Sequence, residues 1–334
     1  MKVLIAYDGS RGSEGAIDDL VVSGLPSTGT AHILSVAEVW MPQTSDGHTF
    51  AGSAAAAGIA TTFKKYGEQS IAEAAMFANH AELRVKRVLP GWKILSTSTY
   101  GSPSRKILDT AEEFHPDLIV VGSHGHSTLS RFLLGSISQK ILTEASCSVR
   151  IARGRVEVDD APSRIIIGFD GSEGAFAAVR AVAQREWSQG TRVHVVTASE
   201  PAVPSSIARF VPPICRTGEE VNVADRRLLE ELGIEALEIL KSSGVDATLH
   251  IRPGTPKQVL IEEAERQGAD CIFVGASSRS RDLDRVPLGS TSSAVASRAH
   301  CSVEVVRERT NKRFENLPEN YWKLDGDETP EVAT

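Results

Sequence analysis

Short apolar runs alternate with longer amphipathic stretches along the first 155 residues of the chain. Strands covered on both faces of a parallel sheet have nearly continuous apolar sequences, and such runs predict strands at residues 3–6, 32–36, 94–98, 118–121 and 149–152. Apolar residues that recur every three or four positions predict helices between these strands, and the alternation of the two predicts an α/β fold. The clearest helical sets are Ile71, Ala74, Ala75, Ala78, Ala81 and Leu83, and Ile107, Leu108, Ala111 and Phe114.

The same pattern occurs a second time in the chain. The segment KVLIAYDGS from Lys2 is repeated as RIIIGFDGS from Arg164, and CSVRIAR from Cys147 is repeated as CSVEVVR from Cys301. Repetition of whole segments in the same order indicates a duplicated structural unit. We therefore predict two tandem doubly wound domains, each with a five-stranded parallel sheet flanked by helices.

The two domains are predicted at residues 1–155 and 163–309. Residues 156–162 contain three acids and a proline without a hydrophobic period, which is typical of a linker, and residues 310–334 form a polar, acidic tail. Two connections, residues 41–67 and 200–222, are long enough to predict functional loops that are partly helical.

Charge and composition exclude several classes of partner. Residues 1–155 carry 15 Lys and Arg against 14 Asp and Glu, and residues 163–309 carry 18 against 20, so neither half has the basic excess of a nucleic-acid-binding protein. The four cysteines form no CxxC pair and no metal-ligand cluster, and we predict neither disulfides nor a metal site. No signal peptide and no membrane span are expected, so we expect a cytoplasmic protein without membrane contact.

A glycine motif follows the fourth predicted strand. Gly122 is followed by Gly125, then by nine residues, and then by Gly135 and Ser136 at the start of a helix. Glycine lets backbone N–H groups approach a phosphate, and a helix N-terminus favours negative charge. If strands one and four are neighbours, Asp8 after the first strand faces this loop across the crevice where α/β sheets bind ligands. These five residues predict a nucleotide site.

Some residues near this motif have two interpretations. Asp8-Gly9-Ser10 is also a common helix N-cap and turn sequence. His124 and His126 flank Gly125 and can donate to a phosphate or remain solvated, with His126 retained as a candidate ligand contact. Arg131 can reach a terminal phosphate or form a surface ion pair.

The second repeat keeps most of the candidate site. Asp170, Gly275, Gly289 and Ser290 are present, but Ser278 replaces the second glycine, and ten residues rather than nine precede Gly289. Serine can offer its amide unless the position needs a positive φ. Both an ATP site and a weakened or regulatory site remain open for this half.

On these motifs the chain resembles the universal stress protein family, as a tandem member of the ATP-binding type. The resemblance implies a sheet order of 3-2-1-4-5 in each domain and an ATP site, with Mg²⁺, at Gly122, Gly125, Gly135 and Ser136. It further implies that Asp8 approaches the nucleotide and that Val36 packs on the adenine. It also implies that the two repeats pair through their last strands, residues 149–152 and 303–306, and leaves a homodimer open.

The expected function is an ATP-binding stress-response sensor or adaptor with little or no hydrolysis. The chain has no P-loop GxxxxGK[ST], no GxGxxG after the first strand and no GxSxG elbow, so no catalytic residue is predicted. The alternative is a nucleotide-independent interaction protein of the same fold. A third reading, an enzyme acting on adenylated substrates, rests on analogy of fold alone.

Overall fold

A computed structural model describes residues 1–38, 54–125, 134–153, 162–199, 212–276 and 288–308, with the backbone alone for residues 54–64 and 212–225. The first half contains β1 (Lys2–Ala6), α1 (Arg11–Asp18), a 3-10 turn (Asp19–Val22), β2 (Thr30–Ala37), α2 (Ala54–Val88), β3 (Lys93–Tyr100), α3 (Pro103–Phe114), β4 (Leu118–Gly122), α4 (Ser136–Glu144) and β5 (Ser148–Ala152). The second half contains β6 (Arg164–Gly168), α5 (Glu173–Ala183), β7 (Arg192–Ser199), α6 (Pro212–Ser242), β8 (Asp246–Pro253), α7 (Pro256–Gln267), β9 (Cys271–Gly275), α8 (Ser290–Arg298) and β10 (Ser302–Val306). The α/β fold and the five predicted strands of the first half are confirmed, each strand with slightly wider bounds.

The strands form one ten-stranded sheet in the order β3-β2-β1-β4-β5-β10-β9-β6-β7-β8. Within each half all neighbouring strands are parallel, so the predicted order 3-2-1-4-5 is present twice. Because β1 pairs with both β2 and β4, the order of the strands reverses at β1 in the first half and at β6 in the second. The carboxyl ends of β1 and β4 therefore lie side by side, as the candidate site requires.

The two halves meet where β5 pairs antiparallel with β10. In this register Arg150 lies opposite Glu304, flanked by Val149 opposite Val305 and Ile151 opposite Val303. All six residues are buried. The predicted pairing of the repeats through their last strands is therefore present in the structure, and we call this region the joint.

Two arginines reinforce the joint in the same way from both sides. Arg153 donates through Nη2 to the carbonyl of Ala296 at 2.6 Å, near the end of α8. Arg307, its counterpart in the repeat, donates through Nη2 to the carbonyl of Leu142 at 2.6 Å, near the end of α4. Each half thus supplies a cation to the carbonyl end of the other half's last helix, where cations are stabilising.

The sheet separates two layers of helices. On one face, α3, α4, α7 and α8 pack on an apolar core that is continuous across both halves. On the other face the cores are separate, with α1 and α2 covering the first half and α5 and α6 covering the second. The continuous core stabilises the two halves as one body on that side of the sheet.

Some expectations need correction. Leu83, which the helical pattern assigned to the buried face of α2, is 62% exposed, and the buried positions are Ala74, Ala78, Ala81 and Val85. The two long connections are partly helical, as expected: α2 begins at Ala54, where alanine-rich sequence favours helix, and α6 begins at Pro212, since proline is tolerated in the first turn of a helix. The tail and, apart from Pro162, the linker lie outside the described residues. Among the described helices, none combines the length and apolarity that crossing a bilayer requires.

Candidate functional site

Asp8 and Gly125 lie next to each other at the carboxyl ends of β1 and β4. A β-carbon built on Gly125 would be 3.1 Å from Asp8 Oδ2, so only a residue without a side chain leaves the gap between them open. The φ angle of Gly125 is not in the left-handed region. Glycine is therefore used here for close approach and not for an unusual backbone conformation.

The turn after β1 combines both interpretations of Asp8-Gly9-Ser10. Gly9 has a φ of +75°, which favours glycine. Asp8 Oδ1 accepts a hydrogen bond from the Ser10 amide at 3.0 Å, and Ser10 Oγ accepts one from the Ser13 amide at 3.2 Å. Ser10 is thus the N-cap of α1, while Asp8 shapes the turn with one oxygen and presents the other to Gly125.

The N-terminus of α4 lies at the same edge of the sheet, and its N-cap residue has no side chain that could cap the helix. Gly135 is the N-cap residue, and its own amide donates to the carbonyl of Ser123 at 2.9 Å. Ser136 is exposed at the first position of the helix, and Ser138 Oγ donates to the carbonyl of Gly122 at 2.7 Å. The helix start is therefore anchored to β4, which leaves the Ser136 hydroxyl and the positive helix end available to an anion.

Gly122 has a packing role that sequence reasoning missed. Its β-carbon would lie 2.5 Å from the carbonyl carbon of Gly12, and a β-carbon on Gly12 would lie 1.9 Å from the carbonyl oxygen of His124. The two glycines let α1 lie directly against β4 and the loop that follows it. The repeat could have indicated this role, because both glycines have equivalents in the second half. A β-carbon on Gly275 would lie 2.3 Å from the carbonyl carbon of Gly174, the equivalent of Gly12.

His124 is a candidate ligand contact whose placement the structure describes. Its Nδ1 lies 2.8 Å from Ser123 Oγ, which orients the ring, and its Nε2 is buried without a hydrogen-bond partner among the described residues. Buried polar atoms are normally satisfied, so this nitrogen is retained as a candidate ligand contact. His126 and Arg131 lie outside the described residues.

Val36 lies near the end of β2, on the sheet face covered by α3 and α4, where it is partly buried against the core. Its strand neighbours β1, so the position is beside the crevice, and contact with an adenine stays a prediction. Ala198 occupies the equivalent position on β7 and packs on the same continuous core.

The second half contains a cleft of about 140 Å³ at the equivalent place. It is lined by the predicted residues Asp170, Gly275, Gly289 and Ser290, and by the additional hydroxyl of Thr291. Its apolar wall comes from Phe169, Ala175, Val196, Leu260 and Val274. The structure thus brings together the four candidates of the second repeat, whereas Ser278 lies outside the described residues.

The second half repeats the local anchoring of the first. Ser292 Oγ donates to the carbonyl of Gly275 at 2.6 Å, as Ser138 does to Gly122, and Asp170 Oδ1 accepts from the Ser172 amide at 3.0 Å. Asp170 is more exposed than Asp8. The two crevices therefore have the same anchoring hydrogen bonds and differ in the solvent exposure of the aspartate carboxylate.

Two electrostatic facts describe the surroundings of the first crevice. Burial, reinforced by the charge of Glu14, raises the pKa of Tyr7, which precedes Asp8 and whose hydroxyl lies 3.0 Å from His80 Nδ1. A neutral phenol here adds no negative charge beside an anion site.

Across the described part of the chain, no group of three His, Cys, Asp or Glu side chains is arranged to hold a metal ion.

Comparison with known proteins adds a family to this geometry. The model of the universal stress protein family matches residues 1–153 and, separately, residues 162–307. A universal stress protein of Mycolicibacterium smegmatis is 30% identical over 215 residues, which are 62% of this chain and 67% of that protein. Universal stress protein YxiE of Bacillus subtilis is 30% identical over 154 residues, 46% of this chain and 98% of that protein. A universal stress protein structure from Archaeoglobus fulgidus superposes with a TM-score of 0.60 at 20% identity, covering 92% of this chain and 98% of that one.

Proposed function

The chain belongs to the universal stress protein family, and on that premise we propose that it is an ATP-binding member whose first half holds Mg-ATP. The observation that carries this proposal is the close approach of Gly125 to Asp8 Oδ2 at the edge of the sheet where α4 begins, with Gly135 as its N-cap residue. A carboxylate next to a glycine loop and a helix N-terminus matches a ribose hydroxyl on one side and phosphates on the other.

Each proposed contact follows from the position of its residue. Asp8 accepts from the ribose, Val36 packs on the base, and the amides near Gly125 together with the Ser136 hydroxyl donate to the phosphates. His124 Nε2 supplies a further donor or acceptor in the same loop. When bound, Mg²⁺ neutralises phosphate charge, and it is held by the phosphates rather than by a set of protein ligands.

The second half is proposed to bind a nucleotide in the cleft lined by Asp170, Gly275, Gly289 and Ser290. The hydroxyl of Thr291 at the start of α8 supports this proposal because it offers a donor that the first half lacks, where Ile137 stands. Each site belongs to one proposed domain, residues 1–155 or 163–309. The role is that of a stress-response sensor or adaptor with little or no hydrolysis, because the chain lacks the P-loop lysine.

A calorimetric titration of the full chain with Mg-ATP, after any co-purified nucleotide has been removed and identified, tests this proposal. Asp8→Asn and Asp170→Asn form a matched pair, because asparagine keeps the oxygen that accepts from the turn amide and removes the charge. We expect Asp8→Asn to weaken the first-half site about tenfold, the loss of one charge-assisted hydrogen bond. Equal affinity in the folded variant would contradict the assignment of Asp8.

A nucleotide-independent interaction protein is the second candidate, and one observation favours it. Gly122 and Gly275 are required by the packing of α1 and α5 whether or not a ligand binds. Part of the glycine motif would therefore persist in a chain that binds no nucleotide. Absence of binding at millimolar Mg-ATP, with both matched variants indistinguishable from the wild-type chain, would select this candidate.

A further inference from the structure

The joint between the two halves contains a buried network of four alternating charges. The fully buried Arg150 contacts Asp19 Oδ2 through Nε at 2.5 Å and Glu304 Oε2 through Nη1 at 3.2 Å. Arg185 pairs with the other oxygen of Glu304. All four side chains are at most 6% exposed. Such charges are tolerated only when each has its partner, because removing one partner leaves an uncompensated buried charge.

Arg150 and Glu304 occupy the same position of the duplicated sequence. They are the fourth residues of CSVRIAR and CSVEVVR, and the antiparallel register places them directly opposite each other. The local two-fold axis that relates the halves therefore passes between them. If a first half paired in this way with another first half, Arg150 would face Arg150, and two second halves would bring Glu304 against Glu304. Like charges directly opposite each other destabilise a strand pair.

A second contact, at the edge of the joint, distinguishes the halves independently. Gly24, with a φ of +64°, lies under Trp187, and a β-carbon at this glycine would be 2.7 Å from the indole ring. The position equivalent to Gly24 in the second half is Glu186. Two second halves would therefore press Trp187 against the side chain of Glu186. The hydrogen bonds from Arg153 and Arg307, by contrast, are common to both halves and favour neither pairing.

We propose that opposite charges at Arg150 and Glu304, aided by Gly24 under Trp187, make the joint selective for one first half paired with one second half. Strand β5 of the first half thus pairs with β10 of the second half, and pairing with a second copy of the same half is excluded. The tandem arrangement thus differs from a symmetric pair of identical domains, which cannot place opposite charges at a position on its own two-fold axis.

Charge reversal in the full chain tests this selectivity. Asp19→Arg/Arg150→Glu reverses the charge pair of the first half and sets two carboxylates opposite each other, because the new Glu faces Glu304. Arg185→Glu/Glu304→Arg reverses the pair of the second half and sets two guanidinium groups opposite each other, so neither variant can close on itself. Refolded together from urea, however, the two variants can exchange halves, since each offers the charge that the other lacks. We expect each variant alone to lose hydrogen-exchange protection at those amides of Ser148–Ala152 and Ser302–Val306 that bond across the joint, while the other amides stay protected by β4 and β9. We expect the equimolar mixture to regain it in a heterodimer identified by native mass spectrometry.

Two controls separate partner choice from stability. Val149→Ala and Val305→Ala weaken the joint at a neighbouring pair without changing charge, and their mixture should give no heterodimer. The quadruple variant Asp19→Arg/Arg150→Glu/Arg185→Glu/Glu304→Arg, in which the four charges alternate again, should regain protection in a single chain. The proposal is overturned if either half-reversed variant refolds alone with wild-type mass and full protection of the amides that bond across the joint. It is equally overturned if neither the mixture nor the quadruple variant regains protection, because the charges would then serve stability without choosing the partner.

Discussion

Replacing Gly122 by alanine tests whether this motif glycine serves packing. The new β-carbon would lie 2.5 Å from the carbonyl carbon of Gly12 and 2.6 Å from its oxygen, whereas ordinary contacts begin at 3.4 Å. The start of α1 would have to retreat from β4 by about 0.9 Å, the difference between 3.4 and 2.5 Å. The obstructing atoms are backbone and cannot rotate away. Overpacking of this kind costs about 1–3 kcal/mol.

Urea denaturation of the full chain measures this cost, and Gly125→Ala is the matched control. At Gly125, among the described residues, the new β-carbon meets only Asp8 Oδ2 at 3.1 Å, the end of a side chain that can shift by a few tenths of an ångström. We expect Gly122→Ala to lower the free energy of unfolding by about 1–3 kcal/mol and the melting temperature by roughly 2–12 °C. Gly125→Ala should stay within about 0.5 kcal/mol of the wild-type chain.

The same two variants separate packing from binding. Gly125→Ala should weaken Mg-ATP binding while it leaves stability unchanged, because its side chain enters the gap beside Asp8. If Gly122→Ala unfolded at the same urea concentration as the wild-type chain, α1 would not need the close approach described here. The packing account of the motif would then be refuted.

Three further perturbations address other parts of the molecule. Arg150→Met leaves the buried Asp19 without its cation, while Glu304 keeps Arg185, and should cost about 3–5 kcal/mol in urea denaturation. Burial, and then the neighbouring His250, lower the pKa of His194 below its ordinary value of 6.5. The unfolded chain therefore binds the proton more readily than the folded chain, and the free energy of unfolding decreases as the pH falls below about 6.5. In urea denaturation at several pH values, His194→Gln should show a smaller decrease on the acid side than the wild-type chain. Gly24→Ala should lower the melting temperature of the wild-type chain by more than it lowers that of a Trp187→Ala chain, because only the cost of the positive φ remains once the indole is gone.

Particular residues show how far local pattern predicts this fold. The strands were predictable because burial on both faces leaves apolar runs such as those of β1 and β4. Leu83 was assigned to the wrong face because an alanine-rich helix gives a weak periodic signal, and the actual buried side follows Ala78, Ala81 and Val85. The start of α2 was not predicted because alanine, glycine and threonine between residues 54 and 62 satisfy a loop pattern as well as a helical one.

The amino-acid sequence alone determined the duplication and the alternation of strands and helices, and it supplied the candidate residues for the two crevices, because these depend on spacing along the chain. Tertiary structure alone decided which glycine serves packing and which leaves a gap, since Gly122 and Gly125 differ only in what lies opposite them. It also decided that Arg150 faces Glu304. Steric contact and the pairing of buried charges depend on segments more than a hundred residues apart, and no local pattern records which of them meet.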